Sequence, residues 1–365
     1  MLEKIPADEA GQIQHIVALT IAQLQRRYPG DQQVLRGVHA KAHGCVTATF
    51  EILPDLAENL RQGVFQIPGR RYACHVRFSN AATLVTPDSK VVENGIPQHG
   101  SRGMAIKLTG VEGPMLEPVH GFSTQDFLLI NQPAFAFANV EDYEVLSRVL
   151  VDHKDDPRPF FAERLPPQGT ISPTPSQQRA LATAGIVARI QSQGVTAAPP
   201  AFQNPPASPV DNDYFSAAPF LLGPDQVMRF RVRPVVRSAN LPDVSDPDYL
   251  RNALIRRLCD QCQGDVIFDF EVQVRPVSSI TNPDLEIENA SVPWPDEIPF
   301  IPVAKLTIPL QEFDTPELRE RCEKLIFSPW HGLQTHRPLG GINRLRLAVY
   351  EASAMFRNLP KEPAS

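Results

Sequence analysis

Three residues near the end of the chain carry the first chemical signal. Arg346, Tyr350 and Arg357 are spaced four and then seven residues apart. On a helix, at about 100° per residue, they fall within roughly 40° of one another, on one stripe. A phenol one turn from a guanidinium is favoured in its ionised form by the adjacent positive charge. A phenolate is a hard anionic ligand suited to ferric haem. An arginine two turns further on suits a carboxylate such as a haem propionate, which it meets with paired hydrogen bonds. Taken alone, the same pattern is also a solvated helix face with an incidental tyrosine.

Two further segments hold candidate groups. LRGVHAKAHG (35–44) places His39 and His43 four apart, with Arg36 three residues before His39. No carboxylate accompanies them at metal-ligand spacing, so each is read by itself as structural or as a proton carrier. YACHVRFSN (72–80) has strand character, which puts Arg77 and Ser79 on one face.

These groups need elements to hold them. Residues 8–28 form a predicted helix, with Ile13, Ile16, Val17, Ile21 and Leu24 recurring at helical spacing. Strand patterns follow at 45–52, 72–80, 101–110 and 126–130, then a helix at 140–153. Strands return at 226–235, 265–277 and 302–310. Thr315–Pro316 has the form of an N-cap with proline in the first turn of a helix, and a last helix covers 342–359. Seven or eight mostly alternating strands with long excursions predict one antiparallel barrel with helices at its ends, an α+β chain. Seventeen of the 37 prolines fall in Pro157–Pro219 and Pro293–Pro309, which predicts extended connections there, with one helix-like island at 175–194.

Composition narrows the function classes. The 365 residues are 42% hydrophobic and 21% charged, enough for a sizeable core. A net charge of −6 argues against a nucleic-acid surface. No apolar run is long enough for a membrane helix, and the start lacks a signal pattern, so the expected location is the cytoplasm. Cys45, Cys74, Cys259, Cys262 and Cys322 make an odd count, read as reduced thiols. Cys259 and Cys262 form a C-x-x-C that follows the helix-like NALIRRL, and nothing completes a zinc site. Phosphate-cradling glycine motifs and a G-x-S-x-G elbow are missing.

Taken in order, the short segments resemble the haem catalase superfamily. Val38–His39–Ala40–Lys41 is similar to its distal-histidine motif, with Arg36 at the matching offset. Val76–Arg77–Phe78–Ser79 and Arg102–Gly103–Met104–Ala105–Ile106–Lys107 are similar to its next two strands. Arg346–Leu347–Ala348–Val349–Tyr350 resembles its proximal motif, and Arg357 follows at the offset of a propionate-binding arginine. The stretch 327–350 resembles more narrowly the short catalase-related proteins of bacteria, whose relatives include hydroperoxide-metabolising peroxidases and a coral allene oxide synthase.

The resemblance implies a catalase-like antiparallel eight-stranded β-barrel with flanking helices, one haem domain over residues 1–365. Residues 155–215 would be a proline-rich excursion, and helices within 311–360 would carry the proximal ligand. It implies haem b with ferric iron bound by the Tyr350 tyrosinate. His39, Asn131 and Ser79 would be catalytic; Arg36, Val38, Arg77, Phe135, Arg346 and Arg357 would hold the cofactor. In Leu129–Ile130–Asn131–Gln132–Pro133–Ala134–Phe135 either Asn131 or Ile130 takes the distal amide position, with Asn131 favoured. The implied activity is a peroxidase of organic or lipid hydroperoxides, with weak catalase turnover, using a peroxide and a reductant; a homodimer is compatible with it. A hydroperoxide isomerase or lyase, and a haem-binding sensor without turnover, are the alternatives.

Overall fold

The computed structural model describes residues 2–30, 34–81, 85–91, 97–99, 101–116, 123–135, 137–155, 159–160, 207–238, 243, 245–259 and 264–357. Its strands are β1 (Ala42–Ile52), β2 (Arg71–Asn80), β3 (Ser89–Val91), β4 (Pro97–His99), β5 (Arg102–Thr109), β6 (Thr124–Ile130), β7 (Tyr214–Phe215), β8 (Phe220–Leu221), β9 (Gln226–Pro234), β10 (Val266–Pro276) and β11 (Ile301–Ile308). The helices are α1 (Glu9–Arg27), α2 (Val140–Asp152), α3 (Tyr249–Cys259), α4 (Pro283–Glu286), α5 (Pro316–Lys324) and α6 (Gly341–Phe356).

Eight strands close a ring in the order β1-β2-β5-β6-β7-β9-β10-β11, with β11 returning to β1 and every pairing antiparallel. Closure removes unpaired edges. β8 adds to β9, and β3 and β4 pair apart from the barrel. The sequence reading and the structure agree on the barrel. The two-residue strand β7, which bridges β6 and β9, has no sequence pattern of its own to reveal it.

Alternation decides what fills the lumen. Val76 and Phe78 of β2, Met104 and Ile106 of β5, and Phe127 and Leu129 of β6 join one buried cluster. Phe127 lies 4.8 Å from Phe270 and 5.1 Å from Phe230, ring centre to ring centre, and Phe50 lies 5.1 Å from Phe270. Phe65, from the turn Gly63–Phe65, packs on Phe127 and Phe270. Each such ring contributes roughly 1.5–3 kcal/mol of burial. Among the described residues the lumen is therefore a packed core.

The intervening residues face outward in rows set by register. Ser79 pairs with Gly103, and Gly103 with Ile130. Arg77 pairs with Ala105, and Ala105 with Leu128. A helical layer covers this outer face: α1 packs on α2 and α6, and α2 on α6. Ile16, Val140, Ile342, Leu345 and Val349 form its apolar seam.

The start of α6 is anchored tightly. Arg344 meets Glu3 at 2.6 Å, Glu9 at 2.6 Å and Glu288 at 2.9 Å. The amides of Gly340 and Gly341 donate to Glu3 and Glu288, which neutralises the positive helix end. Gly340 has φ +85°, and a Cβ there would lie 2.5 Å from the Ile287 carbonyl oxygen, so glycine is required. Arg357 is the C-cap residue of α6. The helix-like island 175–194, most of the excursion 155–215 and Cys262 lie outside the described residues.

Candidate functional site

A cleft separates the outer face of β2, β5 and β6 from α6. Counted with its open mouth, it encloses about 1120 Å³ free of protein atoms. Arg36, Val38, His39, Arg77, Ser79, Phe135, Arg346, Tyr350 and Arg357 all line it. The structure thus brings together nine of the ten residues singled out from the sequence.

Asn131 is the one it does not bring. Its side chain is buried away from the cleft, and Oδ1 accepts from the Arg102 amide at 2.7 Å and from Ser101 Oγ at 3.2 Å. The preceding residue, Ile130, lines the cleft instead. One step along the chain reverses the direction of a side chain, and that step was the ambiguity in the motif.

His39 stands on the barrel side in a left-handed backbone conformation, φ +58°. Its carbonyl accepts from Arg77 Nη2 at 3.0 Å, and its Nδ1 lies 3.0 Å from Ser79 Oγ. Gly103 makes room for the ring: a Cβ there would sit 2.3 Å from Nδ1 and 2.4 Å from Cε1. Burial, then the charges of Arg77, Arg346 and Arg36, push the imidazole down to about 3, so the ring is neutral at ordinary pH. A neutral ring held at Nδ1 leaves Nε2 as the nitrogen able to take a proton.

Across the cleft, Arg346 Nε donates to Tyr350 Oη at 3.3 Å, and Arg346 Nη1 donates to Asn343 Oδ1 at 3.0 Å. The guanidinium also lies 5.7 Å from the centre of the Phe135 ring. A second cleft tyrosine, Tyr143, is raised to about 12 by burial, with Tyr350 adding to the rise. The arginine on its oxygen distinguishes Tyr350.

One end of the cleft is basic. Arg36 pairs with Glu323, and its Nη2 donates to the carbonyls of Cys322 at 3.0 Å and Leu325 at 2.8 Å. Arg77 reaches Glu323 at 3.4 Å, and Arg357 donates to the Glu323 carbonyl at 3.2 Å. Although burial acts to raise the Glu323 carboxyl, the charges of Arg36, Arg77 and Arg357 hold it below its ordinary value. Burial, then Arg36 and Arg77, pushes Arg357 down to about 9. The Nε atoms of Arg77 and Arg357 are buried with no partner among the described residues. A lost partner for a buried donor costs about 1–3 kcal/mol, so an anion in the cleft would relieve two such deficits. Three cations facing one carboxylate call for a ligand with more than one negative charge.

The other end is apolar. A chamber sharing Val38, His39, Phe135 and Tyr350 continues to Phe137, Ile342 and Leu345. Phe135 and Phe137 stack 5.4 Å apart. Gly103, Tyr143, Phe137 and Glu323 were not singled out from the sequence. Gly103 had a signal, a glycine inside a strand, which marks close approach. Among the described residues, no three His, Cys, Asp or Glu side chains converge to hold a metal ion. A metal here would enter within a prosthetic group. The residues fit haem: a basic end for propionates with two orphaned nitrogens, an apolar end for the ring edge, and a phenol on one wall.

No family model matches the sequence, and no curated protein matches it. Solved structures do. A bacterial catalase is 16% identical with a TM-score of 0.61, covering 94% of this chain and 62% of that one. A fungal catalase is 16% identical with a TM-score of 0.64, covering 93% and 62%. Catalase A from Saccharomyces cerevisiae is 15% identical with a TM-score of 0.62, covering 94% and 65%. The chain therefore spans under two thirds of the length of these catalases. At such identities the likeness concerns the fold: this chain adopts the catalase-like eight-stranded antiparallel barrel with flanking helices.

Proposed function

We propose that the cleft binds ferric haem b through the Tyr350 phenolate, and that the protein is a haem-dependent peroxidase of organic or lipid hydroperoxides. One observation carries this reading: a tyrosine with an arginine on its oxygen faces a neutral histidine across a cleft whose basic end holds unpartnered guanidinium nitrogens. Bound haem would supply the ferric centre at which a peroxide O–O bond is cleaved. Arg36, Arg77 and Arg357 would bind the propionates, and Val38 and Phe135 would pack on the macrocycle. Arg346 would orient Tyr350 through the hydrogen bond to its oxygen.

His39 would take the proton from the near peroxide oxygen at Nε2 and return it to the far one, so that alcohol leaves. Ser79 and Gly103 would fix the angle of the ring. Each turnover consumes two electrons and two protons, converting a hydroperoxide to alcohol and water, so an external reductant is required. Ile130 and the apolar chamber beside Phe137, Ile342 and Leu345 favour an organic substrate over a small polar one. These features support reading the chain as one of the short catalase-related peroxidases. With haemin bound, dye oxidation driven by cumene hydroperoxide is expected to exceed oxygen evolution from hydrogen peroxide by roughly tenfold or more, a difference of about 1.4 kcal/mol in barrier. Oxygen evolution that outpaced dye oxidation would reassign the substrate to hydrogen peroxide.

A further inference from the structure

Behind the basic end of the cleft lies a pair of thiols with no part in the reading above. Cys45 is on β1, directly across from Arg77 in the strand pairing. Cys322 is buried in α5, which packs on β1. The two sulfhydryls lie within hydrogen-bonding reach of each other. Arg36 Nη2 donates to the Cys322 carbonyl at 3.0 Å, and the next residue, Glu323, pairs with Arg36 and Arg77. The pair thus sits in the positive field of two guanidiniums.

That setting divides the roles. The hydrogen bond from Cys45, with Arg77 and Arg36, draws Cys322 below the ordinary thiol value against the effect of burial. The same hydrogen bond and burial push Cys45 up. The charges of Arg77 and Arg36 favour the ionised form at Cys322, with Cys45 as its hydrogen-bond donor. Cys74 is the contrast: buried without such neighbours, it is raised to about 12. A thiolate beside a cation with a second thiol in reach is the arrangement of a peroxide-reactive dithiol.

We propose that Cys45 and Cys322 form a reversible disulfide driven by hydroperoxide. The Cys322 thiolate attacks the peroxide; the O–O bond breaks, alcohol or water leaves with the proton, and Cys322 becomes a sulfenic acid. The Cys45 sulfur then attacks the Cys322 sulfur and expels water. The balance is two thiols and one hydroperoxide to one disulfide, one alcohol and one water. A dithiol reductant reverses it by exchange. Because Cys322 adjoins Glu323, the bridge would tether β1 to the helix that carries the counter-charge of the arginine cluster.

The test is independent of haem. The full chain is treated with a few equivalents of hydrogen peroxide, with and without added haemin, then alkylated, digested without reductant and mapped by mass spectrometry. The expected result in both samples is a cross-linked peptide pair containing Cys45 and Cys322, about 2 Da lighter than the two free peptides and undone by dithiothreitol. Cys74 stays alkylatable. Cys45→Ser abolishes the cross-link and leaves a Cys322 sulfenic acid that dimedone traps. The wild-type map alone suffices if that variant fails to fold. Wild-type protein in which both thiols remain alkylatable, or in which Cys322 is oxidised without the cross-link, would overturn the proposal.

Discussion

The two faces of β2, β5 and β6 share a backbone and differ in everything else. Inward, Val76, Phe78, Ile106 and Phe127 are fully buried in a packed aromatic lumen. Outward, Arg77, Ser79, Gly103, Ala105 and Ile130 form one wall of a cleft with cations at one end. A single-residue slip of register would exchange the two sets. The inner face confers stability, the outer face carries the proposed site, and the tightly packed inner face fixes the register on which the outer face depends.

Substitutions on each face separate those roles. The largest effect belongs inside. Phe270 is fully buried against Phe50, Phe127 and Phe230, and Phe270→Ala is expected to cost about 3–5 kcal/mol in urea denaturation. Haemin affinity of the folded fraction should stay unchanged; a selective loss of affinity would mean that the faces are not separable.

Next is Gly103→Ala. The added methyl would collide with the His39 ring and with Ser79 Oγ, 2.9 Å away. Displacing the ring by an ångström is expected to lower peroxidase turnover by about 10²-fold while haemin binding persists. Turnover within a factor of two of wild type would remove His39 from the reaction.

The smallest effect is a pH dependence. Burial, then the charges of Arg77, Arg346 and Arg36, hold His39 near 3, below its ordinary 6.5. Between those values the unfolded chain takes a proton that the folded chain refuses, so stability is full above pH 6.5 and falls as pH drops toward 3. His39→Gln should therefore lose less stability than wild type between pH 7 and pH 4. Equal losses in urea titrations would show that the ring is not held neutral.

Much of the site was legible because its residues fall in short segments whose order carries the resemblance to catalases. Arg77 and Ser79 share a strand face, and Tyr350 and Arg346 share a helix stripe, so spacing grouped each pair. The misplacement of Asn131 came from the same rule at its weakest point. Residues 130 and 131 stand at the end of β6, where no further alternation fixes the phase. Glu323 was illegible because its importance lies in contacts with Arg36 and Arg77, far away in sequence. β7 was illegible because two residues make no pattern, although they close the barrel.

The central claim is a haem held by the Tyr350 phenolate, and its most direct test is the absorption spectrum of the haemin-loaded protein beside that of Tyr350→Phe. The expected result is a five-coordinate ferric phenolate spectrum in the wild type that is lost in the variant, with haemin affinity falling by roughly tenfold or more as the iron ligand disappears. A Tyr350→Phe protein that bound haemin with an unchanged spectrum would contradict it.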